Sequence, residues 1–142
     1  MTAQRNIYPS KKGFVIYIPI IIVFGISIFS VINGAYFSAF FSVAIVSLIV
    51  LPMLLNTNYT INGDGTLRVK CGFFVNLLIE IDQIRKIELT RSALSSPALS
   101  LDRIEIFYNK FDSVIVSPEQ KQAFIAALQS INPAIEFNNQ LK

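Results

Sequence analysis

Few side chains in this 142-residue chain could do chemistry. Histidine is absent, which removes the commonest general base and metal ligand. The single cysteine, Cys71, excludes an intramolecular disulfide and a multi-cysteine zinc site. The remaining candidates are two carboxylate pairs, Glu80 with Asp82 and Asp102 with Glu105, in polar sequence without a visible metal or electrophilic partner. We therefore predict no enzyme activity, catalytic residue, metal site or cofactor, and we expect Cys71 to be a buried small hydrophobe.

Charge is distributed unevenly along the chain. Of the 21 charged residues, three lie in the first twelve positions, none lies in residues 13–63, and 18 lie in residues 64–142. An even distribution would put about 8 charges in the central gap. Positive and negative residues balance in the last part, so the net charge of +3 comes from the amino-terminal tip. This pattern argues against a nucleic-acid-binding surface and predicts membrane segments.

Two apolar stretches, residues 14–32 and 35–55, fill the uncharged gap. Each would form a helix about 30 Å long, which matches the hydrocarbon core of a bilayer. Asn33-Gly34 between them favours a turn, so we predict a transmembrane helical hairpin. The alternatives are a pair of buried core helices, which the rest of the chain is too short to cover, and a cleaved signal peptide, whose apolar region would be shorter.

The flanking charges predict the orientation of this hairpin. Arg5, Lys11 and Lys12 precede the first stretch, so the positive-inside rule puts the amino terminus in the cytoplasm, and two crossings return the chain to the same side. We expect an integral membrane protein with both termini cytoplasmic. The expected organisation is a cytoplasmic tip, the hairpin and a cytoplasmic domain, at residues 1–13, 14–55 and 56–142.

Small residues recur on the second stretch at Gly34, Ser38 and Ser42. Such a stripe lets a helix approach a neighbour closely. The neighbour is either the first stretch, through Ser27 and Ser30, or a second copy in a homo-oligomer. Neither stretch contains the ionisable residue that a transport path normally needs, so we favour packing over transport.

Short alternating segments follow residue 56. Asn62-Gly63-Asp64-Gly65 predicts a hairpin turn, and in the next strand Leu67, Val69 and Cys71 alternate with Arg68 and Lys70. The further segments with strand character are 74–81, 84–90, 101–108 and 113–116.

One amphipathic helix follows these strands. Ser117-Pro118-Glu119-Gln120 predicts its start with Ser117 as the N-cap, and Asn132-Pro133 ends it. Phe124, Leu128 and Ile131 follow at helical spacing, with Ala127 beside them, and form the expected apolar face. The predicted fold is α+β and mainly β: a bent antiparallel sheet or barrel of about six to seven strands capped by one carboxyl-terminal helix. We expect this domain to fold without the hairpin.

Specific motifs add a family resemblance to this pattern. They are Gly65-Thr66-Leu67, Cys71-Gly72-Phe73-Phe74, the segment 79–84, the segment 95–103, and Ile115-Val116-Ser117-Pro118. On these motifs, residues 59–133 resemble bacterial pleckstrin-homology-like domains of the YyaB type, which are often attached to membrane spans. With this resemblance, the expected membrane is the bacterial cytoplasmic (inner) membrane. The resemblance implies a seven-stranded, strongly bent sheet capped by the last helix, and a scaffold for binding without enzyme activity.

The segment 95–103 is the one that strand or helix periodicity does not explain. It supplies the candidate binding residues Ser95, Ser96, Leu99, Asp102 and Arg103. The segment is either a loop packed on the barrel or a recognition edge or groove for a partner peptide, which could add as a strand beside residues 101–108.

Lipid contact is the alternative to a protein partner. Phosphoinositide-binding members of the wider fold hold phosphate with basic residues around the first hairpin, but here that turn carries Asp64, and only Arg68 and Lys70 follow. We expect these two to be a solvated strand face, with weak attraction to anionic lipid as the alternative. The predicted function is a membrane-anchored, non-catalytic binding or scaffold protein for a protein partner. The alternatives are a lipid-surface binding module and an accessory subunit of a transporter or envelope system.

Overall fold

The computed structural model describes residues 5–91, 100 and 102–140. Two four-stranded sheets and three α-helices lie within these residues. The elements in chain order are β1 (Asn6–Pro9), α1 (Tyr17–Ile32), α2 (Tyr36–Leu55), β2 (Asn58–Ile61), β3 (Thr66–Cys71), β4 (Val75–Glu80), β5 (Ile84–Thr90), β6 (Arg103–Tyr108), β7 (Asp112–Val116), α3 (Lys121–Ile131) and β8 (Glu136–Asn138). A 3-10 turn, Phe14–Ile16, leads into α1, and another, Ile81–Gln83, joins β4 to β5.

The strand orders are β1-β2-β3-β4 and β7-β6-β5-β8. Neighbouring strands are antiparallel except for β8, which runs parallel to β5. The inner faces of both sheets and one face of α3 share a single core. Its fully buried side chains include Tyr59, Leu67, Ile79, Ile81, Ile87, Ile104, Ile106, Phe124 and Leu128.

The alternation along β3 confirms the sequence pattern. Leu67, Val69 and Cys71 are buried, whereas Arg68 and Lys70 are exposed. The preceding turn is also where the sequence predicts it, with Gly65 at φ +82°. The Asp64 carboxylate accepts hydrogen bonds from the backbone N–H and the hydroxyl of Thr66, and these contacts close the turn.

Two strands in the structure, β1 and β8, lie outside the predicted set. The described residues of 56–142 contain seven strands, as expected, but with β1 these form two four-stranded sheets instead of one bent sheet. β1 comes from the tip before the apolar stretches, and β8 follows α3 and adds to the edge of β5. Each is only three or four residues long. Segments this short carry no clear period-two pattern, and pairing with a preformed sheet edge decides their conformation.

The predicted start of the last helix is also wrong. α3 begins at Lys121 after the N-cap residue Gln120, which makes no side-chain cap hydrogen bond. Ser117 is instead fully buried four residues earlier, with its hydroxyl 3.1 Å from that of Ser10. The predicted end is confirmed, because Asn132 is the C-cap.

α1 and α2 form a hairpin that extends from the domain. Ser27 Oγ lies 2.8 Å from Ser42 Oγ, and Ala39 is buried at the contact side of α2. Gly34 turns the chain with φ +73°, and it is exposed, as is Ser38. Within the described residues, α2 is the one helix long and apolar enough to span a membrane, and α1 is a shorter apolar helix. Of the predicted stripe, Ser42 therefore contacts α1.

The hairpin interrupts a sheet of the domain. β1 precedes the hairpin, β2 follows it, and the two strands pair from Asn6 opposite Ile61 to Pro9 opposite Asn58. The chain thus leaves the sheet and returns to it at adjacent positions. The two helices are an insertion between neighbouring strands.

Candidate functional site

A buried hydrogen-bond network attaches the amino-terminal strand to the rest of the domain. The Tyr59 hydroxyl donates to Ser10 Oγ at 3.1 Å and accepts from the backbone N–H of Ser117 at 3.1 Å. Burial raises the pKa of Tyr59 above its ordinary value, so its hydroxyl keeps its proton. Lys11 N–H also donates to the Ser117 carbonyl at 2.7 Å. These contacts hold the start of the chain beside the segment that precedes α3.

A cleft of about 580 Å³ opens next to this network. We call it the Asp102 cleft, and its lining residues are Lys11, Gly13, Phe14, Leu89, Thr90, Arg91, Ser100, Asp102, Arg103 and Lys121. Gly13 lies so close to Ser100 that an added Cβ would be 2.9 Å from its Cα. The cleft therefore adjoins the point where the chain enters the hairpin through Phe14.

Asp102 makes the central electrostatic contacts of the cleft. Its carboxylate pairs with Lys121 and, at 3.0 Å, with Lys11. The hydrogen bond from Lys121, followed by that from Lys11, holds the pKa of Asp102 below its ordinary value of 3.8. The carboxylate thus links the amino-terminal segment to the first residue of α3.

Arg103 is the second predicted residue that the structure brings into the cleft. It is buried, and its Nε donates to the carbonyl of Ser100. Burial lowers the pKa of the guanidinium, but arginine stays protonated at neutral pH. This residue therefore carries a positive charge in the cleft wall and orders the Ser100 backbone.

The chemistry that this lining supports is recognition by charge and hydrogen bonding. Four cationic side chains, Lys11, Arg91, Arg103 and Lys121, surround one carboxylate, Asp102. The excess of positive charge favours an anionic or acidic ligand. Among the described carboxylates predicted as pairs, Glu80 accepts from Gln83 and Glu105 from Ser113, both as ordinary surface hydrogen bonds.

The other predicted site residues lie elsewhere. Ser95, Ser96 and Leu99 lie outside the described residues. Arg68 and Lys70 project from the outer face of β3 and are not part of the lining of the Asp102 cleft. Of the predicted site residues that the structure describes, Asp102 and Arg103 are the two that meet in the cleft.

Strand addition beside residues 101–108 is a wrong prediction. β6 pairs with β5 on one side and with β7 on the other, so its backbone hydrogen bonds are already made. In the described sheets, the outer positions are held by β1 and β4 in one and by β7 and β8 in the other. A partner peptide could extend a sheet only at one of these strands.

Sequence reasoning missed the two lysines that pair with Asp102. Lys11 is 91 positions before Asp102 in the chain, and Lys121 is 19 positions after it. The sequence pattern indicated for Lys11 only a role in membrane orientation. The signal that could have linked them is weak, because no local pattern connects residues this far apart in a chain.

Comparison with known protein families agrees with this architecture. Residues 57–132 match the family described as "Bacterial PH domain", which covers more than half of the chain. No curated protein and no solved structure matched the chain. The matched region begins just before β2 and ends just after α3. It includes β2 to β7 and leaves out β1 and β8, each of which lies at one edge of its sheet. The chain therefore belongs to the bacterial PH domain family.

Proposed function

We propose that this protein is a membrane-anchored, non-catalytic binding module. In this proposal α1 and α2 cross the bilayer of the bacterial inner membrane as a hairpin, and the PH-like domain lies on the cytoplasmic face. The domain presents the Asp102 cleft to a protein partner. PH-like domains are generally non-catalytic binding modules, which supports the binding role. The closer likeness to the YyaB type, with its frequent membrane spans, is part of the same proposal.

The observation that carries the proposal is the insertion of the hairpin between β1 and β2. Paired strands lie on the same side of any bilayer, so the chain between them must cross an even number of times. A crossing by α2, which is long and apolar enough, thus requires a second crossing in the same insertion. α1 with its leading 3-10 turn is about 30 Å long, sufficient for that crossing.

Exposure and charge support the same arrangement. Only Ser27 of α1 and Ala39 of α2 are buried, so the large apolar side chains of both helices are open to a surrounding solvent. Water is an unfavourable solvent for such a surface and lipid is a favourable one. Lys11 and Lys12 adjoin the hairpin on the domain side, which favours a cytoplasmic domain.

The cleft chemistry favours a protein partner over a lipid headgroup. Lys11 and Lys121 already pair with Asp102, and Arg103 is buried against Ser100. A phosphate headgroup needs several converging donors that are not engaged elsewhere. Arg91 remains exposed at the cleft rim, where it suits an acidic surface on a protein.

A lipid-surface role is the second candidate, and one observation favours it. Phe14, the first residue of the 3-10 turn that leads into α1, also lines the Asp102 cleft, so the cations of the cleft would lie near headgroups. An accessory role in a transporter or envelope system is the third candidate. It would use the exposed residues Gly34 and Ser38 of the small-residue stripe.

Cysteine labelling in intact cells tests the anchor. In a Cys71→Ser background, single cysteines at Thr2, Ala35 and Gln140 report the two ends and the helical turn. We expect a membrane-impermeant reagent to reach only the Ala35 site from outside. Labelling of either terminal site in intact cells would contradict the topology, and cell lysis provides the control for reactivity.

Charge reversal tests the partner class. We expect Arg91→Glu to reduce recovery of the partner from detergent-solubilised membranes, while Lys110→Glu, the same charge change in the β6–β7 turn, leaves it unchanged. Equal recovery with both variants would contradict binding in the cleft. Recovery that depends on added anionic lipid would favour the second candidate. Loss with Ser38→Leu alone would favour the third.

A further inference from the structure

We propose that the turn between β3 and β4 is a second bilayer contact, in which Phe73 and Phe74 enter the interfacial layer beside the end of α2. This inference rests on the proposed membrane anchor and adds an element outside the two helices. It commits to lipid as the occupant of an exposed aromatic surface on the domain.

The turn packs directly on the last turn of α2. Cys71 pairs with Val75 across it, and Phe74 N–H donates to the Cys71 carbonyl at 3.2 Å. An added Cβ on Gly72 would lie 3.3 Å from the backbone nitrogen of Met53. The Thr57 hydroxyl contacts both the Met53 carbonyl and, at 3.4 Å, the Cys71 sulfur. The turn and the end of α2 are therefore held at one level along the helix axis.

That level corresponds to the edge of the hydrocarbon core. α2 has 20 residues and is about 30 Å long, which equals the core thickness, and Met53 lies in its last turn. Phe73 is 79% exposed and Phe74 is 69% exposed, one and two residues after Gly72. Aromatic side chains at this depth meet the boundary between headgroups and acyl chains.

The surrounding residues favour lipid over a protein as the occupant. Lys70 lies exposed on β3 just before the turn, where its stem can follow apolar surface while its ammonium group meets headgroup phosphates. Leu55, two residues after Met53, is also exposed. Apolar side chains therefore lie both on the turn and on the helix end that it contacts, and lipid around a membrane-spanning α2 would meet both.

This contact would fix the orientation of the domain. The entry to α1, the exit from α2 and the turn give three contacts with the bilayer. The turn at residues 62–65 lies at the opposite end of β3, about 17 Å further along the strand. The turn that basic residues surround in phosphoinositide-binding relatives would then lie away from the membrane.

The absence of tryptophan from the sequence permits a direct test with the full chain. Single variants Phe74→Trp, Phe24→Trp and Phe111→Trp are reconstituted in vesicles of neutral and anionic phospholipid, with and without bromine on the acyl chains near the headgroup or near the bilayer centre. Phe24 lies within α1, and Phe111, which is 88% exposed, lies in the β6–β7 turn. The Asp102 cleft, which adjoins the hairpin, lies at the Arg103 end of β6, whereas Phe111 follows the opposite end of that strand. Phe111 is therefore the matched control away from the hairpin.

We expect emission from Phe74→Trp to be lost with bromine near the headgroup, and emission from Phe24→Trp with bromine near the bilayer centre. Phe111→Trp should keep its emission in all vesicles. Quenching of Phe24→Trp without quenching of Phe74→Trp would overturn the inference and leave the anchor standing. No quenching at Phe24→Trp would instead contradict the anchor itself.

A second variant tests whether the contact orients the domain. In the Cys71→Ser background, a cysteine at exposed Asn76 on β4 reports access to the membrane-facing end of the sheet. We expect Phe73→Ser with Phe74→Ser to raise its labelling rate in proteoliposomes several-fold, whereas Phe111→Ser leaves the rate unchanged. An unchanged rate in the double variant would count against the inference, as would a dependence of the rate on protein concentration, which indicates a second copy on the surface.

Discussion

At the scale of single residues, the hydroxyl of Tyr59 joins three distant parts of the chain. Its hydrogen bonds include those to Ser10 and Ser117, which are 49 and 58 positions away. All three residues are buried, so water cannot replace a lost contact. One oxygen atom therefore contributes to the attachment of β1 and to the path of the chain before α3.

We predict that Tyr59→Phe lowers the free energy of unfolding by about 1–3 kcal/mol, because it leaves the buried Ser117 N–H without its acceptor and removes one of the contacts of the Ser10 hydroxyl. The measurement is a denaturant titration in mild detergent. Tyr108→Phe is the matched control, since the Tyr108 hydroxyl makes no hydrogen bond with the described residues. A Tyr59→Phe effect no larger than that of the control would show that the network adds little.

The contacts of Ser117 also explain why the sequence pattern predicted the wrong start for α3. Ser-Pro-Glu-Gln has the composition of a helix start, and a hydroxyl at an N-cap would satisfy an open backbone donor. In the structure the same residue bonds to Ser10 and Tyr59 from sequence positions that a local pattern does not include. The competing tertiary contacts delay the helix until Lys121.

At the scale of elements, α3 closes the core over both sheets. Phe124 is fully buried, with its ring 5.2 Å from that of Tyr8 in an edge-on contact and 6.0 Å from that of Tyr59. The helix thus packs on β1 and β2 together. The sequence predicted Phe124 and Leu128 on the inward face correctly, but Ile131, expected on the same face, is 39% exposed. The contact with the amino-terminal strand was not predicted.

We predict that Phe124→Ala lowers the free energy of unfolding by about 3–5 kcal/mol through lost burial and the resulting cavity. Ile131→Ala, at a partly exposed position of the same helix, is the control and should cost much less. Thermal and denaturant unfolding of both variants provide the comparison. A loss below about 1 kcal/mol for Phe124→Ala would indicate that the helix is peripheral to the core.

At the scale of the whole molecule, the hairpin is a long loop between two paired strands. The sequence suggested a domain that starts at residue 56 and folds without the hairpin. Tyr8 of β1 packs on the core and Ser10, just after β1, belongs to the buried network, so a chain of residues 56–142 lacks both. Because Pro9 lies opposite Asn58, a short loop can replace the whole insertion.

We predict that residues 5–12 joined by a short Gly-Ser loop to residues 57–142 form a domain that is at least about 2 kcal/mol more stable than residues 56–142 alone. The difference reflects one partly buried aromatic side chain and the hydrogen bonds of Ser10. Circular dichroism during denaturant unfolding measures it. Equal stability of the two chains would show that β1 is dispensable.

The sequence by itself determined the features that depend on local composition. The uncharged gap, the two apolar stretches, the Asn62 to Gly65 turn, the alternation in β3 and the single buried cysteine are all encoded by neighbouring residues. Each of these follows from hydrophobic periodicity or turn propensity over a few positions. They were enough to predict a mainly β domain after two apolar helices, and the resemblance of specific motifs added the PH-like family.

Only the tertiary structure decided which distant segments meet. β1 and β8 are too short to be recognised without the sheet edges that they complete. Lys11 contacts Asp102 only because β1, which precedes Lys11, pairs with β2. The proximity of the Phe73-Phe74 turn to Met53 has the same origin. These contacts join residues far apart in sequence, and their stability comes from packing and pairing that form only when the whole chain has folded.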